Sequence, residues 1–475
     1  MDPREGKERE VAQLAGARMP ADHGLASLGL IMQLGGSVFA AYMGLLAVMS
    51  IFAPGGDAVL VFFACAAGAL RSVFHRAAGS ALVHGSHGGV FRPIQVYVGT
   101  AVAQTVLTLL VVRHVSDLPG SLMVGLALAL LAWPMALLVF TTRPRMRAMA
   151  AQSHLPMSED LGFEGSAALM MLLGLIGTLV ASFMLYAGLK LPGGTLANPH
   201  QMLLVGVFGM LLARSILHAT AGIKGTRGAD PDTATSSASR YYTFGVVSSV
   251  ITGGALFILM VMSPSGGLHP IMLLFVGLAV YLLLSWPLIL RRFYTDRNYS
   301  ALLAGPDAPS HRRAPDAGLT AVGWLLLGLG LLQLALTLPS ALFGKGELSL
   351  DLFSLLGTLQ GDDAGMAAYG RSGWWSVGTA LAQVWAGLEL VHMTDRHRMA
   401  ATVYGAVASL VTLYVMWPQL QDLEAALGAT SMGDYGAVAS SFHIAISLVL
   451  PIGTIILANR NLHPTARARV RSHGE

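Results

Sequence analysis

Charge is scarce in this chain. Asp, Glu, Lys and Arg make up only 11% of its 475 residues, while 54% are hydrophobic. A soluble domain carries about 25% charged residues, so this composition excludes a soluble protein of this size. Cysteine is scarcer still. Cys65 is the only one, and it lies inside an apolar run, so there is no disulfide framework, thiolate metal site or Cys-x-x-Cys motif. The phosphate-binding G-x-x-x-x-G-K-[ST] loop, the G-x-S-x-G elbow and the H-E-x-x-H zinc helix are all missing. No connection is long enough to fold as a catalytic domain, so an enzyme is not expected. The first 27 residues mix both signs (Arg4, Glu5, Lys7, Glu8, Arg9, Glu10). No short apolar core with a small-residue cleavage site follows them, and they read as a cytoplasmic tail.

What remains is long apolar runs. Twelve are visible, over 28–52, 57–74, 93–112, 121–140, 165–189, 201–221, 241–262, 269–290, 317–343, 373–393, 399–417 and 435–458. Most approach the ~20 residues that cross ~30 Å of hydrocarbon as a helix. The second is short, and its helix is expected to continue past His75. With the N-terminus inside, the odd-numbered connections hold four of the 29 Lys and Arg: Arg113, Lys190, Lys345 and Arg371. The other 25 fall on the inner side. That imbalance predicts both termini in the cytoplasm. The formal charge of +4 is therefore a topology signal and does not point to nucleic acid.

A nine-residue pattern, R-S-x-x-H-x-x-A-G, occurs twice. It runs from Arg71 through Ser72 and His75 to Gly79, and from Arg214 through Ser215 and His218 to Gly222. A degraded third copy is read at Leu388–His392, where only the histidine survives. A second landmark follows each, at Trp133-Pro134, Trp286-Pro287 and Leu450-Pro451, and Gly99, Gly245 and Gly405 are taken to align between them. The expected fold is an all-α polytopic membrane protein whose 12 transmembrane helices form three parallel four-helix repeats, N-in and C-in. An even helix count starts and ends each repeat on the same side. The predicted organisation is a tail over 1–27, repeats over 28–140, 165–290 and 317–458, cytoplasmic connections over 141–164 and 291–316, and a tail over 459–475. The stretch 225–240 reads as disordered. Residues 348–356, in the long external connection, read as a short interfacial helix or a packed loop. Gly36, Ala40 and Gly44 form a row of small residues that lets helix backbones approach.

Few residues have chemistry to offer. Arg71 and His75 share a helix face, as do Arg214 and His218. With the helices ending near the motif, both pairs are expected at the cytoplasmic end. There they either anchor at the headgroups or ring the inner mouth of a pathway along the repeat axis. Glu389 is a carboxylate inside an apolar run, and pairing with Arg71 or Arg214 is expected unless it snorkels to the interface. Gln33, Gln104, Gln333 and Gln383 are read as interhelical hydrogen bonders. His443 reads as packing, and His84 with His87 as a weak metal pair. The candidate cluster is Arg71, Ser72, His75, Arg214, Ser215, His218, Glu389 and His392, with no metal and no cofactor predicted.

Three groups of four helices, with histidines on the second, sixth and tenth, are similar in plan to the large subunit of haem-copper oxidases. That family needs His-x-His on helix 10 and paired histidines on helix 7. Here helix 10 carries a lone His392 and helix 7 none, so the likeness is architectural and implies no membership. The sequence therefore points first to transport or permeation of a small solute or ion across the cytoplasmic (inner) membrane. The alternatives are a non-catalytic membrane scaffold or complex subunit, and a haem-binding electron carrier. The lipid bilayer, a small-molecule or ion substrate and membrane protein partners are the expected contacts.

Overall fold

The computed structural model describes residues 25–52, 57–84, 91–115, 120–143, 163–190, 199–226, 231–262, 270–296, 317–343, 373–392, 394, 396–429 and 435–459. Every described element is helical: α1 Leu25–Ile51, α2 Ala58–His84, α3 Arg92–Val115, α4 Gly120–Thr142, α5 Phe163–Lys190, α6 Pro199–Thr226, α7 Pro231–Val261, α8 Pro270–Asp296, α9 Ala317–Phe343, α10 Gly373–His392, α11 His397–Ala429 and α12 Tyr435–Asn459. The starts of α6, α7 and α8 use proline at the first helical position, where its missing N–H has no intrahelical partner to lose. Among the described residues, α1 to α9 are long and apolar enough to cross a membrane. The chain has the make-up of a multi-pass integral membrane protein.

Several helices outrun their apolar runs. The second apolar run ends at residue 74, and its helix continues past His75 as expected, reaching His84. His84 is thus the last residue of that helix and not part of a loop. Residues 231–240, read as disordered, are the first turns of α7, where Ala238 and Tyr241 are buried. Helix ends that dip toward headgroups tolerate polar residues, so apolarity alone undercounts helix length. The stretches 348–356 and 85–90 lie outside the described residues, as does the side chain of His443.

The first two helices of each predicted repeat pair closely: α1 with α2, α5 with α6, α9 with α10. Glycine permits this. A Cβ on Gly79 would strike Gly29 O at 2.6 Å and Gln33 N at 2.8 Å. One on Gly222 would strike Met171 N at 2.2 Å and Ala167 O at 2.6 Å, and one on Gly387 would strike Leu327 N at 2.7 Å and Gly323 O at 3.0 Å. The three contacts share one register. A second set agrees: Gly36, Gly174 and Gly330 face the backbone nitrogens of Arg76, Ala219 and Val384. Of the small-residue row on α1, then, Gly36 makes the close contact, while Gly44 has open space.

The helices α1, α5 and α9 also touch one another. Ser27, Gly165 and Ala321, each two residues before the partners of Gly79, Gly222 and Gly387, meet there. A Cβ on Gly165 would overlap Ser27 Oγ and lie 3.2 Å from Ala321 Cβ. The fourth helices close the ring: α4 packs on α9, α8 on α1 and α12 on α5. Three apolar cores follow this pattern. One joins α1–α4 with Trp324 and Leu327, one joins α6–α8 with Leu30 and Leu169, and one joins α9–α12 with Ala168 and Leu172.

Candidate functional site

The extended helices relocate the motif arginines. Arg71 stands midway between Ala58 and His84, about 20 Å from either end at 1.5 Å per residue. Arg214 is similarly central in α6. Neither stands at the end of its helix, the place expected from the shorter apolar runs. Each is instead the hub of a polar group inside its own four helices.

The two groups match part by part. Arg71 Nη1 donates to Gln104 Oε1 at 2.7 Å and Nη2 to Leu130 O at 2.6 Å. Arg214 Nη1 donates to Ser249 Oγ at 2.8 Å and Nη2 to Leu283 O at 2.5 Å. Leu130 and Leu283 stand four residues before Pro134 and Pro287, which lie inside α4 and α8. Proline has no N–H to give the carbonyl one turn back. Away from water that carbonyl needs another donor, and the arginine supplies it.

The histidines are fixed by the other half of the landmark. Trp133 Nε1 donates to His75 Nε2 at 3.1 Å, and Trp286 Nε1 to His218 Nε2 at 2.8 Å. An indole N–H can only donate, so each accepting nitrogen carries no proton. The opposite faces stack on tyrosine, His75 on Tyr97 with centroids 4.7 Å apart and His218 on Tyr241 at 4.1 Å. The Nε2 atoms a haem iron would seek are thus already engaged. Ser72 donates to Gly68 O, and Ser215 Oγ fills the notch left by Gly177. Both serines act as small packing residues.

The glycine contacts point to a different place for a third copy of the motif than Leu388–His392. Counting back from Gly387 in the shared register, Gln383 takes the histidine position and Thr379 the arginine position. Its sequence, Thr379-Ala-Leu-Ala-Gln383-Val-Trp-Ala386-Gly387, keeps only the terminal Ala-Gly, too little to find without the helix contacts. Both Thr379 and Gln383 are buried. The carbonyl freed by Pro451 is that of Ser447, and Thr412 Oγ1 approaches it at 3.4 Å. Gly245 and Gly405 face the landmark prolines, but Gly99 has open space, and Ala101 takes its place four residues after Tyr97. By the same count Ala401 replaces the stacking tyrosine. At these register positions there is no arginine, histidine, tyrosine or tryptophan: Thr379, Gln383, Ala401 and Leu450 stand there.

His392 and Glu389 therefore fall outside the motif. His392 Nε2 lies 2.7 Å from Arg143 Nη1, beyond the end of α4, and Nδ1 lies 2.8 Å from Leu388 O. Glu389 accepts from Trp385 Nε1 at 3.1 Å and from the Thr394 hydroxyl, and its carbonyl accepts from Thr394 N at 3.3 Å. It fastens the turn from α10 to α11. The expected pairing of Glu389 with Arg71 or Arg214 is not formed. Neither guanidinium is paired with a carboxylate among the described residues.

Gln104, Ser249, Tyr97 and Tyr241 were not singled out as parts of a site. The rule that an internal proline orphans a carbonyl four residues back would have pointed to Leu130 and Leu283, although not to their donors. Among the described residues no group of three metal-ligating side chains is present. No protein-family model, curated protein or solved structure matches this chain.

Proposed function

We propose that the chain is a twelve-helix protein of the cytoplasmic membrane, with both termini inside. Three parallel four-helix repeats surround a common axis, and the protein admits or carries a small solute or ion. The register shared by the three glycine contacts supports the repeats. The meeting of Ser27, Gly165 and Ala321 supports the axis, and the skew of Lys and Arg supports the orientation.

The observation that carries the transport reading is the place of Arg71 and Arg214. A charged side chain at mid-membrane depth is costly, and such residues mark substrate or ion pathways. Two of them, held in matching groups, support a pathway inside each of the two proposed repeats that carry them. The axis itself is shut where the three small residues touch. That closed axis favours the second reading, a non-catalytic membrane scaffold or complex subunit.

Cysteine accessibility separates the two. In a Cys65→Ala background, cysteines replacing Val207, Met210, Leu211 and Leu217 on α6 are treated with a membrane-impermeant thiol reagent. The pathway reading expects modification at several successive turns around Arg214. Protection at every position supports the scaffold.

A further inference from the structure

We infer that Arg214, Ser249 and Thr252 form a binding site for a small monovalent inorganic anion halfway through the membrane. This deepens the transport reading and rests on it only for the step from binding to passage.

Charge argues first. A guanidinium does not lose its proton in a protein. Arg214 is 8% exposed, and its partners among the described residues, Ser249 Oγ, Leu283 O and the Tyr241 hydroxyl, are all neutral. A buried cation without a counter-charge is unfavourable. One monovalent anion cancels it, and a divalent one leaves an excess negative charge. His218 adds no second cation, because its Nε2 accepts from Trp286.

Hydrogen bonding argues next. Arginine N–H groups serve Ser249, Leu283 and the Tyr241 hydroxyl, and a guanidinium carries five, so others remain for a ligand. The Thr252 hydroxyl is one of six buried side-chain polar atoms without a hydrogen-bond partner among the described residues. It lies three residues along α7 from Ser249, on the same face. An orphaned hydroxyl in an apolar interior is rare and costly, and an anion beside Arg214 gives it an acceptor.

Gly245 lets Arg214 lie close against α7. Arg214 Nε lies 3.9 Å from where Gly245 would carry a Cβ, and that Cβ position is 2.8 Å from Pro287. The place of Arg214 well inside its helix disfavours a phospholipid headgroup. Arg214 is 12 or more residues from either end of α6, about 18 Å or more of helix.

The rest of the chain agrees. Arg71 has Gln104 beside it and Thr108 one turn on, with Gln104 Nε2 donating to Thr108 Oγ1 at 2.7 Å, so this second site is more self-satisfied. The third repeat replaces the arginine with Thr379 and keeps no cation.

The test uses the full chain in detergent, in chloride-free gluconate buffer, titrated by calorimetry with chloride, bromide and nitrate. The inference expects saturable binding, with one component lost in Arg214→Gln. Thr252→Val should weaken that component about tenfold, the loss of one hydrogen bond to a charged acceptor, at unchanged melting temperature. If Arg214→Gln does not fold, Thr252→Val decides alone. Absence of saturable binding, or binding unaltered in Thr252→Val, overturns the site. Halide flux is then measured in vesicles reconstituted with the same protein. Binding without flux upholds the site and contradicts the transport reading. Flux with no halide binding upholds transport and contradicts the site.

Discussion

Arg214 and Pro287 are coupled through a carbonyl that belongs to neither. Pro287 cannot donate to Leu283 O, and Arg214 Nη2 donates to it instead. Arg71 and Pro134 repeat the relationship at Leu130 O. A helix-breaking residue and a buried charge, each unfavourable alone, thereby satisfy one another.

Replacing Pro287 with Ala gives α8 a new N–H for Leu283 O, in competition with Arg214. Pro287→Ala and Arg214→Met should therefore not be additive. A double-mutant cycle of thermal stability in detergent is expected to show a coupling of about 1–3 kcal/mol, the range for a hydrogen bond to a charged group. Additive effects would mean that the arginine and the carbonyl are neighbours without energetic consequence.

The third repeat supplies a natural replacement for the His–Trp pair. Where the second has His218 and Trp286, it has Gln383 and Leu450. Trp286→Leu alone should cost about 1 kcal/mol or more, since it strands a buried imidazole nitrogen. Adding His218→Gln should recover part of that loss. A double variant less stable than Trp286→Leu would speak against the correspondence. The readout is again the melting temperature.

Glycines divide sharply by contact. Gly79→Ala, Gly222→Ala and Gly387→Ala each drive a Cβ into a neighbouring backbone, and each should destabilise by about 1–3 kcal/mol through overpacking. Gly44 and Gly99 face open space, so alanine there should be neutral or slightly stabilising, as helix propensity dictates. Equal effects in the two groups would refute the helix-pair register.

Glu389 works locally. Glu389→Gln should loosen the turn between α10 and α11, read as faster amide exchange around Thr394, with no coupling to Arg71 or Arg214. A measurable cycle energy with either arginine would restore the cross-repeat pairing.

Much of the fold was legible because lipid imposes one rule, that a spanning segment is apolar and helical. The R-S-x-x-H-x-x-A-G pattern and the Trp-Pro landmark were both visible, and both belong to the polar groups. What joins them was not visible. The bond from Trp286 to His218 spans 68 residues of sequence, and no local pattern encodes which indole meets which imidazole. The third motif was misplaced for a related reason. The eye follows histidine, whereas the register is set by Gly387 against the backbone of α9. The arginines were expected at helix ends because Arg76, His84 and Lys224 end an apolar run, but α2 and α6 run on through them.

The central claim is that three equivalent units share one axis, closed by Ser27, Gly165 and Ala321. Gly165→Cys with Ala321→Cys tests it, in a background of Cys65→Ala and Ser27→Gly, the latter because a Cβ on Gly165 would overlap Ser27 Oγ. The two Cβ positions lie 3.2 Å apart, close to the ~3.5–4.5 Å spanned by a disulfide. The account predicts rapid crosslinking within one chain under mild oxidation. The link would be detected as two fragments held together after cleavage at a protease site inserted between residues 297 and 316. Failure to crosslink, in protein that folds and binds lipid as the parent does, would contradict the shared axis and the repeat plan built on it.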